Sequence, residues 1–161
     1  MDIQSVMNSG VVRVRPETKV ADALRVMMDH RIDGLPVVDD TNQVVGIITY
    51  ADLLRRGRRH HPRAIDFLTF AVVIQDEEDG VRERFQRMLD EPVMSICTKN
   101  VITCHLDDDV VDVAGLMVDY RIKRVPVVSE GGVLVGIVSR DDLLHAIWRA
   151  YALPGTDKAG W

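Results

Sequence analysis

The fold is decided by the stretch Ile32-Asp33-Gly34-Leu35-Pro36-Val37-Val38, which recurs 90 residues later as Ile122-Lys123-Arg124-Val125-Pro126-Val127-Val128. The same offset holds without a gap from Val11 to Leu54 against Val101 to Leu144, and 16 of the 44 paired positions are identical. Internal repetition of this kind determines the architecture before any local pattern does. The sequence therefore predicts a duplicated fold made of two copies of one unit.

The first copy begins with an extended segment and an amphipathic helix. Residues 11–14 predict a brief strand that stops at Pro16, because proline cannot donate a hydrogen bond to a β ladder. From Val20 onward, apolar residues recur at i, i+3, i+4 and i+7, which predicts a helix that ends near His30. Thr18 stands where we expect the helix cap.

Two strands and a second helix complete the copy. Residues 35–38 are continuous and rich in β-branched side chains, which predicts a buried strand with Pro36 at its start or at an edge. A turn leads to a strand at 44–48, and a helix begins at Thr49. Parallel pairing across the first helix, followed by a hairpin, predicts a three-stranded sheet with helices on one face. The second copy predicts strands at 101–104, 125–128 and 134–138, and helices at 110–120 and from 140 to about 151.

The resulting class is α+β, with an α/β-like alternation of β-α-β-β-α in each repeat. The predicted divisions are repeat 1 at 1–59, a helical linker at 60–92, repeat 2 at 93–153 and a tail at 154–161. Repeat 2 opens with Val93-Met94, which matches Val6-Met7 if three extra residues are allowed. The linker carries a basic run at 55–63, an acidic turn at 76–79 and an exposed, charged helix at 81–89, so it is a candidate partner surface.

Composition and charge exclude several classes of protein. Hydrophobic residues make up 47% of the 161 positions and charged residues 28%, which is ordinary for a soluble globular domain. A formal net charge of −5 argues against broad nucleic-acid binding, which requires a basic face. The first seven residues are too polar for a secretory signal, and the longest apolar run, 67–74, is far shorter than the roughly 20 residues that span a bilayer. We therefore expect a cytoplasmic protein.

Metal-binding and nucleophilic residue types give weak signals. Cys97 and Cys104 lack the spacing of a metal or redox motif, so we expect reduced, buried thiols. His60-His61 point in different directions on a helix or strand, which disfavours a metal site. His105 precedes the acidic run 107–109, but that run falls where a helix needs its N-cap, so capping is the preferred interpretation. The sequence contains no nucleophile elbow, Walker loop or dinucleotide-binding fingerprint.

The repeated pattern resembles the CBS-domain family, named after cystathionine β-synthase. It consists of an apolar-Pro-Val-Val strand followed by Gly-apolar-apolar-Thr/Ser-x-x-Asp, which runs over 46–52 and again over 136–142. Two such domains in one chain look like a Bateman module. The resemblance implies a disc-like pair whose sheets face each other across two clefts, with no catalytic chemistry. It also implies an adenosine-containing ligand such as AMP, ADP, ATP or S-adenosylmethionine, and a homodimer or a regulated partner protein.

A hydroxyl and a carboxylate lie three residues apart at each strand-to-helix junction, as Thr49 with Asp52 and as Ser139 with Asp142. One interpretation is a helix cap, in which both groups satisfy exposed N–H groups of the first turn. The other is a ligand site, in which the carboxylate accepts two hydrogen bonds from ribose hydroxyls and backbone N–H groups bind a phosphate. The residues alone leave both interpretations open.

The resemblance further implies that each cleft draws residues from both repeats. The residues of the first cleft would be Thr49, Asp52, Ile102, Lys123, Arg124, Val125 and Pro126. The residues of the second would be Ser139, Asp142, Val12, Asp33, Gly34 and Pro36. The clefts are unequal, because Lys123 and Arg124 offer two cations to a phosphate where the second cleft has Asp33 and Gly34. Ile102, Val125 and Pro126 suit an adenine slot and suit an ordinary core equally well.

We therefore expect a non-catalytic sensor of an adenosine nucleotide, with the phosphorylated ligand in the first cleft and the second cleft empty or holding fewer phosphates. The adenine nucleotide would be a regulatory ligand, and no catalytic cofactor or metal is expected. The alternative is a protein-interaction or dimerisation module with vestigial clefts. An enzyme is disfavoured, since nothing in the sequence supplies a poised nucleophile or base.

Overall fold

The computed structural model describes residues 1–57 and 82–151. The predictions for His60-His61, for most of the basic run, for the acidic turn and for the tail fall outside these residues. In chain order the elements are a 3-10 turn at Ile3–Ser5, α1 (Val20–His30), β1 (Gly34–Val38), β2 (Val44–Thr49), α2 (Tyr50–Gly57), α3 (82–90), a 3-10 turn at Val93–Ser95, α4 (Val110–Asp119), β3 (Arg124–Val128), β4 (Leu134–Ser139) and α5 (Arg140–Tyr151). The predicted α+β class and the duplicated order of elements are confirmed.

The chain folds into two compact units, and neither unit coincides with one sequence repeat. The unit that contains β1 comprises 13–40 and 45–101, and we call it the β1 unit. The β3 unit comprises 1–12, the hairpin tip 41–44 and the residues from 102 onward. The short segment that opens each sequence repeat therefore packs in the unit that contains the strands of the other repeat. The predicted facing of the two sheets concerns the arrangement of these units and stays a prediction.

In the β1 unit, β1 and β2 pair with each other, and all five residues of β1 are buried. Of the strand predicted at 11–14, only Val14 pairs, through a parallel bridge to Val37. The prediction of a full third strand is wrong, because the chain turns immediately afterwards, where the Thr18 N–H donates to the Arg15 carbonyl at 3.0 Å. On the other edge, Thr98 and Ile47 exchange two backbone hydrogen bonds of 2.9 Å.

The start of α1 departs from the sequence prediction. Its N-cap is Lys19, which makes no side-chain capping bond. The hydroxyl of Thr18 instead accepts a hydrogen bond from the Arg15 N–H at 3.0 Å, so the prediction that Thr18 caps this helix is wrong. The helix ends at His30 as predicted, and Arg31 closes it in a left-handed conformation with φ of 54°.

The β3 unit repeats this plan. β3 and β4 pair antiparallel with Val125 opposite Val138, and only Cys104 of the predicted strand 101–104 joins them, through a parallel bridge to Val127. Asp109 caps α4 by accepting a hydrogen bond from the Val111 N–H at 2.8 Å, which confirms capping at this position. The core of the unit is formed by Ile3, Cys104, Val110, Val113, Met117, Val125, Val127, Val138 and Leu143. Each fully buried aliphatic side chain contributes roughly 1.5–3 kcal/mol relative to exposure.

The opening segments of the two repeats correspond in the same 90-residue register. The 3-10 turns begin at Ile3 and Val93, and both side chains have no exposed surface. The three-residue shift that matched Val6-Met7 to Val93-Met94 is therefore wrong. In both units this segment lies against the strand glycine of the repeated motif. A Cβ on Gly46 would approach Cys97 Sγ to 2.7 Å, so the close approach of the segment requires glycine.

Candidate functional site

The first junction is a reciprocal helix cap. The Thr49 N–H and the Thr49 hydroxyl both donate to Oδ2 of Asp52, each at 2.8 Å. The Asp52 N–H donates back to the Thr49 hydroxyl at 3.3 Å. Because β2 ends at Thr49 and α2 begins at Tyr50, these bonds satisfy exposed N–H groups of the first helical turn. The capping interpretation is therefore realised at this junction.

The second oxygen of Asp52 is also engaged. Oδ1 accepts a hydrogen bond from the Thr98 hydroxyl at 3.1 Å and lies 3.7 Å from a guanidinium nitrogen of Arg55. Only 3% of the Asp52 side chain is exposed. Both carboxylate oxygens of Asp52 thus have partners inside the β1 unit. Sequence spacing could not identify Thr98, because the contact depends on the packing of 93–101 in the β1 unit.

The second junction has the same cap and a more open carboxylate. The Ser139 N–H and hydroxyl donate to Oδ2 of Asp142 at 2.8 and 2.6 Å, and the Asp142 N–H donates to the hydroxyl at 3.2 Å. Within residues 1–57 and 82–151, no hydrogen bond reaches Oδ1 of Asp142. The position equivalent to Thr98 is Asn8, whose side-chain oxygen accepts from the Gly10 N–H at 2.9 Å. Asp142 is half-buried.

Arg124 lies at the same end of the β3–β4 hairpin as this junction, because it pairs with Ser139 in the strand register. The side chain is half-buried, and this burial lowers the pKa of the guanidinium below its ordinary value. The negative charges of Asp142 and Asp141 act in the opposite direction on that pKa. A guanidinium remains charged at neutral pH. The neighbouring Lys123 is exposed.

The β1 unit lacks this cation. Asp33 and Gly34 occupy the positions equivalent to Lys123 and Arg124, and Asp33 is half-buried. The backbone geometry is conserved between the units, since the Tyr50 N–H donates to the Asp33 carbonyl at 3.0 Å just as the Arg140 N–H donates to the Lys123 carbonyl at 2.9 Å. The electrostatic difference between the junctions therefore comes from side chains on one backbone plan.

The other predicted site residues divide by burial. Pro36, Val125 and Pro126 are buried, and Val125 belongs to the core of the β3 unit. Val12 and Ile102 are half-buried. Within single units the structure thus brings together Thr49 with Asp52, and Ser139 with Asp142 and Arg124. The prediction that each cleft combines residues of both repeats stays a prediction.

Thiols, metal-ligand clusters and membrane-spanning helices were also sought among the described residues. Cys97 and Cys104 are free, buried thiols, as predicted. Burial raises the pKa of Cys97, and it raises that of Cys104 to about 12. In the part of the chain that the structure describes, no group of three His, Cys, Asp or Glu side chains is placed to hold a metal ion. Within the same part, no helix has the length and apolar character needed to cross a bilayer.

Comparison with known proteins connects this duplicated plan to one family. The family described as the CBS domain matches residues 3–59 and 93–149. An uncharacterized protein of Methanocaldococcus jannaschii is 30% identical over 154 residues, which cover 91% of this chain and 91% of that protein.

Two solved structures resemble the chain closely. The CBS domain of a CBS domain-containing membrane protein from Sphaerobacter thermophilus is 33% identical with a TM-score of 0.66, and the match covers 90% of this chain and 86% of that one. The CBS domain pair of protein MJ0100, solved in complex with 5′-methylthioadenosine and S-adenosyl-L-methionine, is 25% identical with a TM-score of 0.67. That match covers 93% of this chain and 98% of the other.

Proposed function

The chain belongs to the CBS-domain family, and from that premise we propose that it is a non-catalytic regulatory module that binds an adenosine-containing ligand. The candidates are AMP, ADP, ATP and S-adenosylmethionine. The complex of the similar domain pair with 5′-methylthioadenosine and S-adenosyl-L-methionine supports this ligand class. We place the module in the cytoplasm, since its two cysteines are free thiols.

The observation that carries the proposal is the arrangement of Ser139, Asp142 and Arg124 within the β3 unit. The cap fixes the Asp142 carboxylate through Oδ2 and leaves Oδ1 available to a ribose hydroxyl. Hydrogen bonds to a charged carboxylate are about twice as strong as neutral ones. The half-buried guanidinium of Arg124 then provides a cation for a ligand phosphate or carboxylate.

The first junction differs from the second in that Oδ1 of Asp52 accepts a hydrogen bond from the Thr98 hydroxyl. We propose that Asp52 accepts a ribose only when the Thr98 hydroxyl leaves Oδ1, so that the two carboxylates differ in affinity. The expectation that the family resemblance implies, in which Thr49 and Asp52 share a ligand with Lys123 and Arg124, stays a prediction. This expectation makes Asp52 the principal ribose acceptor. The proposal based on the hydrogen bonds of each junction makes Asp142 the principal acceptor, so the two can be distinguished experimentally.

A thermal-shift screen separates these possibilities. AMP, ADP, ATP and S-adenosylmethionine are added to the unmodified protein and to its Asp52→Asn and Asp142→Asn variants. A ligand that binds only the native state raises the melting temperature by mass action. We expect at least one ligand to stabilise the protein and Asp142→Asn to lose most of that stabilisation. Selective loss in Asp52→Asn would instead favour the assignment that the family resemblance implies, and no shift with any ligand would reject the proposed function.

The second candidate function is self-association, and a specific observation favours it. Leu144, Trp148 and Tyr151 recur at helical spacing along α5 and are 62%, 64% and 74% exposed. On α4, Val111 and Val118 are 58% and 72% exposed. Such an apolar helical surface is suited to a homodimer interface, and a regulated partner protein could use it instead. Light scattering of the unmodified protein and of Trp148→Glu tests the homodimer, because a monomer in both samples contradicts it.

A further inference from the structure

A cavity of about 410 Å³ lies in the β1 unit between α2 and α3. The residues that line it are Arg56, Arg84, Phe85, Arg87, Met88 and Glu91. None of them belongs to the strand-to-helix junctions described above. The volume falls within the range of roughly 300–1,000 Å³ that is typical of small-molecule pockets. The cavity is thus large enough for a ligand of its own.

The lining is strongly basic. Among the described residues that line the cavity, Arg56, Arg84 and Arg87 bring three positive charges against the single negative charge of Glu91, a net charge of +2. Positions 84 and 87 are three residues apart on α3, so the register of the helix directs them to one face, and Glu91 directly follows the end of the helix. Glu91 is already engaged, since it lies 3.5 Å from Arg56 and accepts a hydrogen bond of 2.7 Å from the Ser95 hydroxyl.

Two of the guanidinium groups have no carboxylate partner within the described ranges. Within the described residues, Arg87 donates to the backbone carbonyl of Glu83, at 3.4 Å. Arg84 forms no salt bridge with any residue of 1–57 or 82–151. Cationic side chains without counter-charges repel one another across a shared cavity, and a bound anion removes that repulsion. The planar guanidinium also presents paired donors that match a phosphate.

The wall of the cavity is held in place by the body of the unit. The Val20 N–H donates to the Glu91 carbonyl at 2.9 Å, and Lys19 forms a salt bridge of 3.0 Å with Asp90. Met88 is 3% exposed, so its side chain anchors α3 in the core. These contacts hold the backbone of α3 in place, so binding would order only the exposed side chains of Arg84, Phe85 and Arg87.

We propose that this cavity binds a phosphate monoester that carries an apolar or aromatic group. Arg84 and Arg87 would hold the phosphate, and Phe85, which is 36% exposed, would contact the apolar group. This site is independent of the proposed adenosine site, since it shares no residue with it. A dianion suits a pair of guanidinium groups better than a monoanion does.

The test measures the binding of phenyl phosphate by isothermal titration calorimetry. Inorganic phosphate, which lacks the phenyl group, is measured for comparison. Arg84→Gln and Arg87→Gln should each weaken phenyl phosphate binding about tenfold or more, the loss expected for a charge-assisted hydrogen bond. Arg82→Gln is the matched control, because Arg82 belongs to the same helix but does not line the cavity. The affinity of the Arg82→Gln variant for phenyl phosphate should change less than about twofold. Phe85→Ala should abolish the preference for phenyl phosphate over inorganic phosphate.

Three outcomes would overturn the proposal. The first is absence of phenyl phosphate binding to the unmodified protein at millimolar concentration. The second is equal weakening by Arg82→Gln and Arg84→Gln, which would mean that only diffuse charge attracts the anion. The third is loss of binding in Asp142→Asn or Arg124→Gln, which would assign the probe to the proposed adenosine site. Melting temperatures of all variants establish that each one is folded.

Discussion

A double-mutant cycle on Thr98 and Asp52 tests whether the two strand-to-helix junctions differ as their hydrogen bonds indicate. Asp52→Ala removes the cap of α2, which is typically a loss of about 1 kcal/mol in the free energy of unfolding. It also removes the bond from the Thr98 hydroxyl to Oδ1. Hydrogen bonds to charged groups contribute about 1.5–3 kcal/mol, but Thr98 is exposed and water can replace part of that contribution.

We therefore expect a coupling free energy of about 1 kcal/mol between Asp52→Ala and Thr98→Val. The loss for Asp52→Ala should total about 2 kcal/mol, against about 1 kcal/mol for Asp142→Ala, whose Oδ1 accepts no comparable bond from residues 1–57 or 82–151. Urea unfolding followed by circular dichroism measures these quantities, provided that the denaturant slope is unchanged. Asn8→Val with Asp142→Ala is the control cycle and should show no coupling. A Thr98–Asp52 coupling no larger than that of the control would refute the reasoning.

Three further predictions concern packing, acid stability and thiol reactivity. Gly46→Ala should destabilise the protein by about 1–3 kcal/mol, because the new Cβ would overlap Cys97. Gly115→Ala has open space in α4 and should stabilise the protein by up to about 1 kcal/mol. Urea unfolding measures the free energy of unfolding of both variants. The hydrogen bond from the N-terminal ammonium group lowers the pKa of Asp109, so its stabilisation is present above the unfolded pKa and is lost as pH falls through the folded pKa. Asp109→Asn should flatten the stability profile in that acidic window, and an unchanged profile would contradict the assignment. Burial raises the pKa of both Cys97 and Cys104, so Ellman's reagent should label them slowly in the native protein and rapidly in denaturant; equal rates would show that the thiols are accessible.

The elements that the sequence predicts well are those whose signals are local. The helix that ends at His30 and the strand of 35–38 follow from hydrophobic periodicity and from a continuous β-branched run, and both are present. The Thr49–Asp52 pair combines a hydroxyl and a carboxylate at the spacing of a cap, and the structure contains that cap. Each of these interactions closes within a few residues, so tertiary packing does not need to be known.

The features that the sequence misses depend on contacts between distant segments. Thr18 matches the composition of a cap, but its hydroxyl accepts from Arg15 in the preceding turn. The correct register of Ile3 with Val93 becomes clear only from their shared 3-10 turns and buried positions. Thr98 reaches Asp52 because the segment 93–101 packs in the β1 unit, and no local spacing encodes that exchange. For the same reason, the sequence could not show that Asp52 and Asp142 differ in their available oxygens.

The measurement that tests the central claim most directly is calorimetric binding of a ligand with and without its ribose diol. Whichever of AMP, ADP, ATP and S-adenosylmethionine stabilises the protein most is compared with its 2′,3′-dideoxy analogue, on the unmodified protein and on Asp142→Asn. If the Asp142 carboxylate holds the diol, the analogue should bind at least about tenfold more weakly than the ligand, because each charge-assisted hydrogen bond contributes more than about 1.4 kcal/mol. The difference between ligand and analogue should also disappear in Asp142→Asn. Equal affinity for the two molecules in the unmodified protein would contradict the account.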